Sequence, residues 1–212
     1  NESLPYINYD NIIKHPKIIC SFSDGTTILN SIYSMTGLKT YYGQGPGMFN
    51  DLLYYDYMHF TAHFIDESVD TFVKNSEWKI PHNGIGEGIL IGGYLRNFAL
   101  LFSSKYFRYD IAEQYILFLE DHEKFSDIAK VSSFISHIEQ TDFIGNVTGL
   151  IFGHYSTEVP IELLQRLERF GGKYNIPVVY SDDFGHGVNH GILPIGIRAV
   201  LDADNSVLRY IK

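Results

Sequence analysis

The chain has 212 residues, of which 45% are hydrophobic and 19% charged, a composition typical of a folded globular protein of one or two domains. Its net charge of −9 and the lack of a long Lys/Arg run argue against a nucleic-acid backbone or an anionic membrane as the main partner. The single cysteine, Cys20, excludes an intrachain disulfide and suits a reducing compartment. Since the sequence also has no signal-peptide pattern and no apolar run longer than a strand, we expect a cytoplasmic protein.

The first 43 residues predict alternating helices and strands. Helical patterns cover residues 6–14 and 26–37, and strand patterns cover residues 17–22 and 38–43. Gly37 stands at the end of the second helical pattern, where a C-terminal glycine is common. A strand, helix and strand in this order predict a parallel α/β sheet.

The next segment is rich in aromatic residues. A glycine-rich loop covers residues 43–47, and residues 48–73 carry apolar side chains at helical spacing. The apolar positions of this predicted helix are Phe49, Leu52, Leu53, Tyr57, Phe60 and Phe64. Residues 74–84 are polar and interrupted by Pro and Gly, which predicts an interdomain linker or lid.

The remaining residues predict a second α/β unit. In chain order the patterns indicate strands at residues 86–95 and 115–121, a helix at 125–138, a strand at 143–153 and a helix at 158–172. A strand at residues 176–180, a glycine-rich loop at 184–196 and a hairpin at 197–211 follow. Pro160 should lie near the start of the second helix and Gly171 at its end. The hairpin should turn at Asp204 and Asn205. We therefore divide the chain into residues 1–47, 48–85 and 86–212.

A cluster of small polar residues, SFSDGTT, separates the first predicted strand from its helix. A nucleophilic serine works best on such a turn, where its hydroxyl is exposed and the next backbone N–H groups can stabilise an oxyanion. Ser23 lies at the tip of this turn, but the G-x-S-x-G spacing of α/β-hydrolases is absent. The alternative is that Ser23 or Asp24 only caps the helix that follows.

Two further groups of titratable residues are candidates for chemistry. Glu120 follows a buried strand directly, at the kind of strand end where ligands of α/β proteins collect, although it could instead belong to a pair of acids that caps a helix. His186 and His190 lie in the glycine-rich loop FGHGVNHG, where glycines argue against a helical metal pair. His59 and His63 have the i, i+4 spacing of a metal pair on a helix, but no third ligand is evident and a packed pair is the alternative.

Four motifs together resemble the LD-carboxypeptidase family of serine peptidases. PKIICSFSDGTT and TGLKTYYGQGP are similar to the family's nucleophile motif and the stretch that follows it. GEGILIGGYL resembles its G-x-x-x-G-x-L-x-GGNL motif, ILFLED the strand with its catalytic Glu, and IPVVYSDDFGH the loop with its catalytic His. The motifs occur in the family's order and span almost the whole chain.

The resemblance implies a fold, a set of catalytic residues and no metal or cofactor. The implied fold is a partial Rossmann-like nucleophile domain followed by a smaller mixed α/β domain, with the active site at their interface. Ser23 would be the nucleophile, His186 the general base and then acid, and Glu120 the residue that holds the imidazole. The backbone N–H of Asp24 would supply half of the oxyanion hole. A homodimer is also implied.

Within the family, the resemblance leaves the substrate open between two branches. One removes a terminal D-residue from cell-wall tetrapeptides, and the other resembles microcin C self-immunity peptidases, which cleave an aminoacyl group from a nucleotide-like toxin. Trp78 and Lys124 are similar to residues of the second branch, where a loop Trp stacks on a nucleobase, although Trp78 could also be a packing residue. Tyr94 replaces the Asn of GGNL, a residue of the implied substrate site.

A third alternative is a homologue that binds a peptide or nucleotide without turnover. Tyr94 motivates this alternative, together with the expectation that the family's N-terminal portion, which carries a second oxyanion donor, lies upstream of the first residue of this sequence. A serine hydrolase that acts on a small peptide or an aminoacyl-nucleotide amide is the function that the sequence favours.

Overall fold

The computed structural model describes residues 1–44, 53–66 and 69–211. The strands in these ranges are β1 (Cys20–Ser21), β2 (Thr40–Tyr42), β3 (Lys79–His82), β4 (Ile85–Tyr94), β5 (Tyr115–Glu120), β6 (Val147–His154), β7 (Val178–Gly185), β8 (Leu193–Ile195), β9 (Arg198–Asp202) and β10 (Val207–Tyr210). The α-helices in the same ranges are α1 (Tyr9–Lys14), α2 (Thr26–Thr36), α3 (Tyr54–Phe64), α4 (Leu95–Ala99), α5 (Ile128–Glu139) and α6 (Ile161–Tyr174). None of the helices in these ranges combines the length and the apolar character needed to cross a bilayer.

The larger sheet has seven strands within the described residues, in the order β10-β9-β4-β5-β6-β7-β3. Strands β4 to β7 run parallel, and the flanking strands pair antiparallel. Every residue of β5 is buried, as the apolar run YILFL predicts for a central parallel strand. The parallel strands therefore bring their carboxyl ends to one edge, where Tyr94, Glu120, His154 and Gly185 end their strands.

The smaller sheet carries the turn with Ser23. Within the described residues it has three strands, in which β1 pairs parallel with β2 and β8 pairs antiparallel with β2. Helix α2 is anchored to the end of β4, because Asn30 donates to the carbonyl of Gly92 and the N–H of Tyr94 donates to Thr26 Oγ1, both at 2.8 Å. The start of α2 and the ends of the large sheet's parallel strands thus meet. The predicted α/β fold is confirmed.

Two local predictions were wrong. Residues 74–84 are not simply a linker or lid, since β3 lies in this segment and forms an edge strand of the large sheet. Gly171 does not end α6; it lies inside the helix, which ends at Tyr174 and is followed by Asn175 with φ of 53°. An added Cβ at Gly171 would lie 2.3 Å from His82 Cβ, so this glycine serves the close contact of α6 with β3.

Other predicted elements have different bounds in the structure or lie partly outside it. The prediction of a helix up to residue 73 was wrong, because α3 ends at Phe64 and residues 69–73 are not helical. Phe49 and Leu52 of this predicted helix lie outside the described residues, as do residues 45–47 of the predicted loop. The glycine-rich loop of residues 184–196 includes the end of β7 and all of β8. The hairpin at the end of the sequence forms as predicted, from β9 and β10.

Candidate active site

Ser23 occupies a strained turn between β1 and α2. Its φ of 55° lies in the left-handed region, which costs a non-glycine residue about 1–3 kcal/mol and is typical of functional turns. The turn continues as a single 3-10 turn, Ser23–Gly25, directly into α2. An added Cβ at Gly25 would lie 2.3 Å from Ser21 Oγ, so the tight turn requires glycine there. The Ser23 hydroxyl therefore does not cap α2, whose N-cap residue is Gly25 and which has no side-chain cap hydrogen bond.

Ser23, His186 and Glu120 form one hydrogen-bonded chain. His186 Nε2 lies 2.9 Å from Ser23 Oγ, and His186 Nδ1 lies 2.9 Å from Glu120 Oε2. Because the carboxylate accepts the hydrogen bond of the Nδ1–H, Nε2 of the neutral imidazole is left to accept the proton of Ser23. The three residues come from β1–α2, β5 and the loop after β7, and the structure brings all three predicted residues together.

Glu120 is fully buried at the end of β5, where Tyr42 supports it. The Tyr42 hydroxyl donates to Glu120 Oε1 at 2.5 Å and accepts the N–H of Ser23 at 3.1 Å. Gly185 has φ of 102°, and an added Cβ there would lie 3.0 Å from Glu120 Oε2, so glycine permits the approach of the loop. The sequence analysis missed Tyr42, since a tyrosine in a short strand carries no signal of this contact.

Three aromatic rings surround the His186 imidazole. The ring centroids of Phe22, Tyr94 and Phe125 lie 5.3, 5.3 and 5.1 Å from that of His186. Burial by itself would lower the pKa of His186, but the hydrogen bond and the charge of Glu120 outweigh it and raise the pKa above its ordinary value. The site therefore favours the imidazolium more than a free histidine does.

Asp24, Tyr94 and Lys124 are the other predicted site residues near this chain of hydrogen bonds or in the turns beside it. The N–H of Asp24 has no acceptor among the described residues, whereas its exposed carboxylate lies 3.8 Å from the guanidinium of Arg96. Tyr94 is buried against His186, with the Arg96 guanidinium 5.4 Å from its ring. Lys124 is exposed in the turn after β5, and its backbone N–H donates to His122 Nδ1 at 3.1 Å.

Comparison with models of protein families identifies the family of this chain. The model of the LD-carboxypeptidase C-terminal domain matches residues 87–201, which is more than half of the sequence, and that of the LD-carboxypeptidase N-terminal domain matches residues 1–43. The chain belongs to the LD-carboxypeptidase family. A relative from Treponema pallidum, named for an inferred carboxypeptidase activity, is 29% identical over 95% of this chain and 67% of its own length. The microcin C7 self-immunity protein MccF of Escherichia coli is 29% identical over 97% of this chain and 68% of its own length.

Solved structures of MccF-like proteins have the same fold. A protein of this kind from Bacillus anthracis superposes with a TM-score of 0.84 at 25% identity, over 99% of this chain and 72% of the other. Microcin C7 self-immunity protein MccF, solved in complex with aspartyl sulfamoyl adenosine, superposes with a TM-score of 0.79 at 25% identity, over 99% of this chain and 71% of the other. The described fold is therefore that of the MccF-like members of the LD-carboxypeptidase family.

Trp78 occupies a packing position and does not line the site. Its side chain is 5% exposed, its ring lies beside Phe72, and its Nε1–H donates to the buried carboxylate of Asp183 at 2.9 Å. This arrangement differs from the expectation that Trp78 stacks on a nucleobase. The physical reason is that residues 74–84 run along the edge of the large sheet, which directs the indole into the core.

His59 does not have the free nitrogen that a metal ligand needs. Its Nδ1 accepts the N–H of Ile192 at 3.1 Å, and its Nε2 donates to the carbonyl of Val73 at 2.9 Å. Burial lowers the pKa of His59, so the ring is neutral in this role. His59 is therefore not available as half of a metal pair with His63, and instead joins α3 to the loop after β7.

Helix α3 holds that loop through two side chains. Besides His59, the buried carboxylate of Asp56 accepts the N–H of His190 through Oδ1 and the side-chain amide of Gln44 through Oδ2, both at 2.8 Å. Asp56 and His59 thus bind alternate backbone N–H groups of the segment that follows His186. A rigid support of this kind is needed to keep a catalytic side chain in position.

Replacing Asp56 by Ala is expected to lower kcat about 10- to 100-fold with a smaller change in KM, because displacing His186, the predicted general base, impairs proton transfer more than binding. It should also lower the free energy of unfolding by about 2–4 kcal/mol, since two buried donors lose their acceptor. Asp56→Asn, which keeps one acceptor oxygen, should recover part of kcat. Steady-state kinetics and urea unfolding measure both effects, with exposed Asp66→Ala just after α3 as the matched control. An unchanged kcat in Asp56→Ala would contradict the positioning role.

Proposed function

We propose that the protein hydrolyses an amide bond by acyl transfer through Ser23, with His186 as general base and acid and Glu120 as the residue that orients it. The observation that carries the proposal is the continuous chain of hydrogen bonds from Ser23 Oγ through both nitrogens of His186 to Glu120. The strained φ of Ser23 gives independent support, since such strain is found where a side chain must be presented to a substrate.

Acylation begins when Ser23 Oγ attacks the carbonyl carbon and its proton passes to His186 Nε2. The carbonyl oxygen becomes an oxyanion, and the C–N bond then breaks as the amine nitrogen takes the proton from Nε2. A water molecule next attacks the acyl carbon and gives its proton to Nε2, which returns it to Ser23 Oγ as the acid leaves. The carboxylate of Glu120 holds the imidazole through Nδ1 and stabilises the transient imidazolium.

The oxyanion needs donors that are in place before the reaction. The Asp24 N–H follows the nucleophile directly, at the start of a helical turn, and has no acceptor among the described residues. These features suit an oxyanion donor, and one such donor is worth about 3 kcal/mol of barrier. The N–H of Ser23 is already committed to Tyr42 and is not available for this purpose.

For the substrate, we propose an aminoacyl group linked through an amide to a nucleotide-like moiety. The support is the likeness to the E. coli self-immunity protein and to the structure that contains aspartyl sulfamoyl adenosine. Tyr94, Lys124 and the aromatic rings around His186 would line this substrate. A cleavage of this kind would inactivate a toxin of the microcin C type.

The second candidate substrate is an L,D-peptide bond that ends in D-Ala, as in cell-wall tetrapeptides. The family model favours it, and so does the packed position of Trp78, which leaves no indole to stack on a nucleobase. Both candidates use the same acyl-transfer chemistry and differ only in the groups on either side of the scissile bond.

Labelling with a fluorophosphonate tests the chemistry without assuming a substrate. The purified full-length protein should form one covalent adduct, which peptide mapping should assign to Ser23. Chromatography with mass detection should then show whether aspartyl sulfamoyl adenosine or an L,D-tetrapeptide is hydrolysed. Retained binding of either compound without labelling or turnover would instead identify a homologue that binds and does not catalyse, and would overturn the proposal.

A further inference from the structure

Phe125 is a large apolar residue that stays exposed beside the proposed catalytic histidine. It is 50% exposed, although its ring centroid lies only 5.1 Å from that of His186. Its ring also meets the buried ring of Tyr94 edge to face, with centroids 6.3 Å apart. A single exposed apolar residue is ordinary on a protein surface, but this one borders the atoms that are to react.

Backbone hydrogen bonds hold the turn that presents Phe125. The carbonyl of His122 accepts the N–H of Phe125 at 2.8 Å and that of Ser126 at 3.1 Å. The Tyr155 hydroxyl donates to the carbonyl of Ser126 at 2.8 Å, and the Tyr155 carbonyl accepts the N–H of Glu123 at 3.0 Å. The turn therefore keeps the phenyl ring half in water, where it offers apolar area that a ligand can bury.

The charges around the catalytic imidazole do not favour an anionic group at this place. The pKa of this imidazole is lowered by burial and raised by the carboxyl groups of Glu120, Asp121 and Asp24. Arg96, 3.8 Å from the Asp24 carboxylate, and the exposed Lys124 are the cations that follow β4 and β5. Because these carboxyl groups outnumber the two cations, a neutral apolar group suits the exposed ring better than a carboxylate does.

The two candidate substrates leave one position for a large apolar group. Ser23 Oγ lies 2.9 Å from His186 Nε2, so the carbon next to the attacked carbonyl must lie close to the rings around His186. In the nucleotide-like candidate, the other side of the scissile bond begins with a polar linker. In the peptide candidate, that side is D-Ala, which carries only a methyl group and a carboxylate. The group that can cover Phe125 is therefore the side chain of the acyl residue, the residue whose carbonyl Ser23 attacks.

We propose that Phe125, backed by Tyr94, forms a subsite for an apolar side chain of the acyl residue, and that an aromatic side chain fits it best. An aromatic ring can pack edge to face or offset against the exposed phenyl ring, in addition to burying its area. Tyr94 stands where the family's GGNL motif has an amide side chain, and its ring makes this wall apolar. The inference rests on the proposed function, because it names the substrate class of the same site.

The test measures binding by calorimetry in a Ser23→Ala background, so that it does not depend on turnover. One series compares phenylalanyl, leucyl, alanyl and aspartyl sulfamoyl adenosine, and the other compares L-Phe-D-Ala with L-Ala-D-Ala. In one series the phenylalanyl member should bind about tenfold more tightly than the alanyl member. Leucyl should lie between these two, and aspartyl should bind no more tightly than alanyl.

Two substitutions of Phe125 separate its apolar area from its ring. Phe125→Ala should reduce the preference for phenylalanyl over alanyl to less than about threefold, with affinity for the alanyl member unchanged within about twofold. Phe125→Leu should keep the preference for leucyl over alanyl and lose part of that for phenylalanyl. Ile161→Ala, at a 60% exposed position on α6, is the matched control and should keep every preference. Thermal unfolding checks that each variant is folded.

Three results would overturn the inference. The first is a preference for phenylalanyl that survives in Phe125→Ala, and the second is a parent protein that binds the members of both series equally or binds none of them. The third is tighter binding of aspartyl than of alanyl that disappears in Lys124→Ala, which would show recognition of an acidic side chain instead. Failure of the proposed function would be seen separately, as absent hydrolysis and labelling in the protein that retains Ser23.

Discussion

Replacing Ser23 by Ala is expected to lower kcat/KM for amide hydrolysis by at least about 10³-fold, because no other group can take over attack on the carbonyl carbon. The change should leave KM or ligand affinity within a few-fold, since the hydroxyl contributes little to ground-state binding. Fluorophosphonate labelling should be lost in parallel. The native structure should persist, because the variant removes only one hydrogen bond, that to His186, at a cost of about 1 kcal/mol.

Ser133→Ala is the matched control for Ser23→Ala. Ser133 is exposed on α5, and its hydroxyl donates only to the carbonyl of Ala129. Kinetics, labelling and thermal unfolding of the two variants should separate loss of the nucleophile from a general effect of removing a serine hydroxyl. Hydrolysis by Ser23→Ala at a rate close to that of the unaltered protein would contradict the assignment of Ser23 as the nucleophile.

The predicted elements that the structure confirms are those whose own residues determine them. The apolar run YILFL can be satisfied only by a strand buried on both faces, and Gly37 with φ of 72° ends α2 as predicted. Gly171 was misread because its role depends on a different element, β3, which packs closely against α6. The left-handed Asn175 ends that helix instead.

The same distinction applies to the residues of the candidate site: some are recognisable from their own local sequence and others only from their contacts. Ser23 and Glu120 were singled out because each lies at the end of a strand pattern, and His186 because it lies in the glycine-rich loop after one; all three also match family motifs. Tyr42 and Asp56 act through contacts between residues distant in sequence, for which a single sequence gives no signal. Trp78 was assigned to a loop because KNSEWKIPHNG is polar, whereas pairing of β3 with β7 places it in the core.

Glu120→Gln is expected to lower kcat by about 10³-fold, and the reason lies in the direction of one hydrogen bond. The Tyr42 hydroxyl donates to the Oε1 position, so the introduced glutamine would present its amide oxygen to Tyr42 and its NH₂ group to His186 Nδ1. His186 Nδ1 would then have to accept a hydrogen bond from this NH₂ group, which puts the ring proton on Nε2. In that tautomer Nε2 cannot accept the proton of Ser23.

The pH dependence of kcat/KM in Glu120→Gln should also differ from that of the unaltered protein. Activity needs neutral His186, whose pKa is raised above its ordinary value, so kcat/KM of the unaltered protein should be lost as pH falls through that raised pKa. In Glu120→Gln, the hydrogen bond and charge that offset burial are gone, and burial lowers the pKa. The acidic limb of the pH profile should therefore move to lower pH.

Tyr42→Phe in the Glu120→Gln background distinguishes this explanation from simple loss of charge. Without the Tyr42 hydroxyl, the introduced amide is free to rotate and present its oxygen to His186 Nδ1, which restores the productive tautomer. The double variant should therefore be about tenfold more active than Glu120→Gln alone, although Tyr42→Phe by itself lowers activity by removing a partner of both Glu120 and the Ser23 N–H. If the double variant is instead no more active than Glu120→Gln, or if the losses of the two single variants simply add in it, Glu120 acts through its charge alone and not by selecting the tautomer of His186.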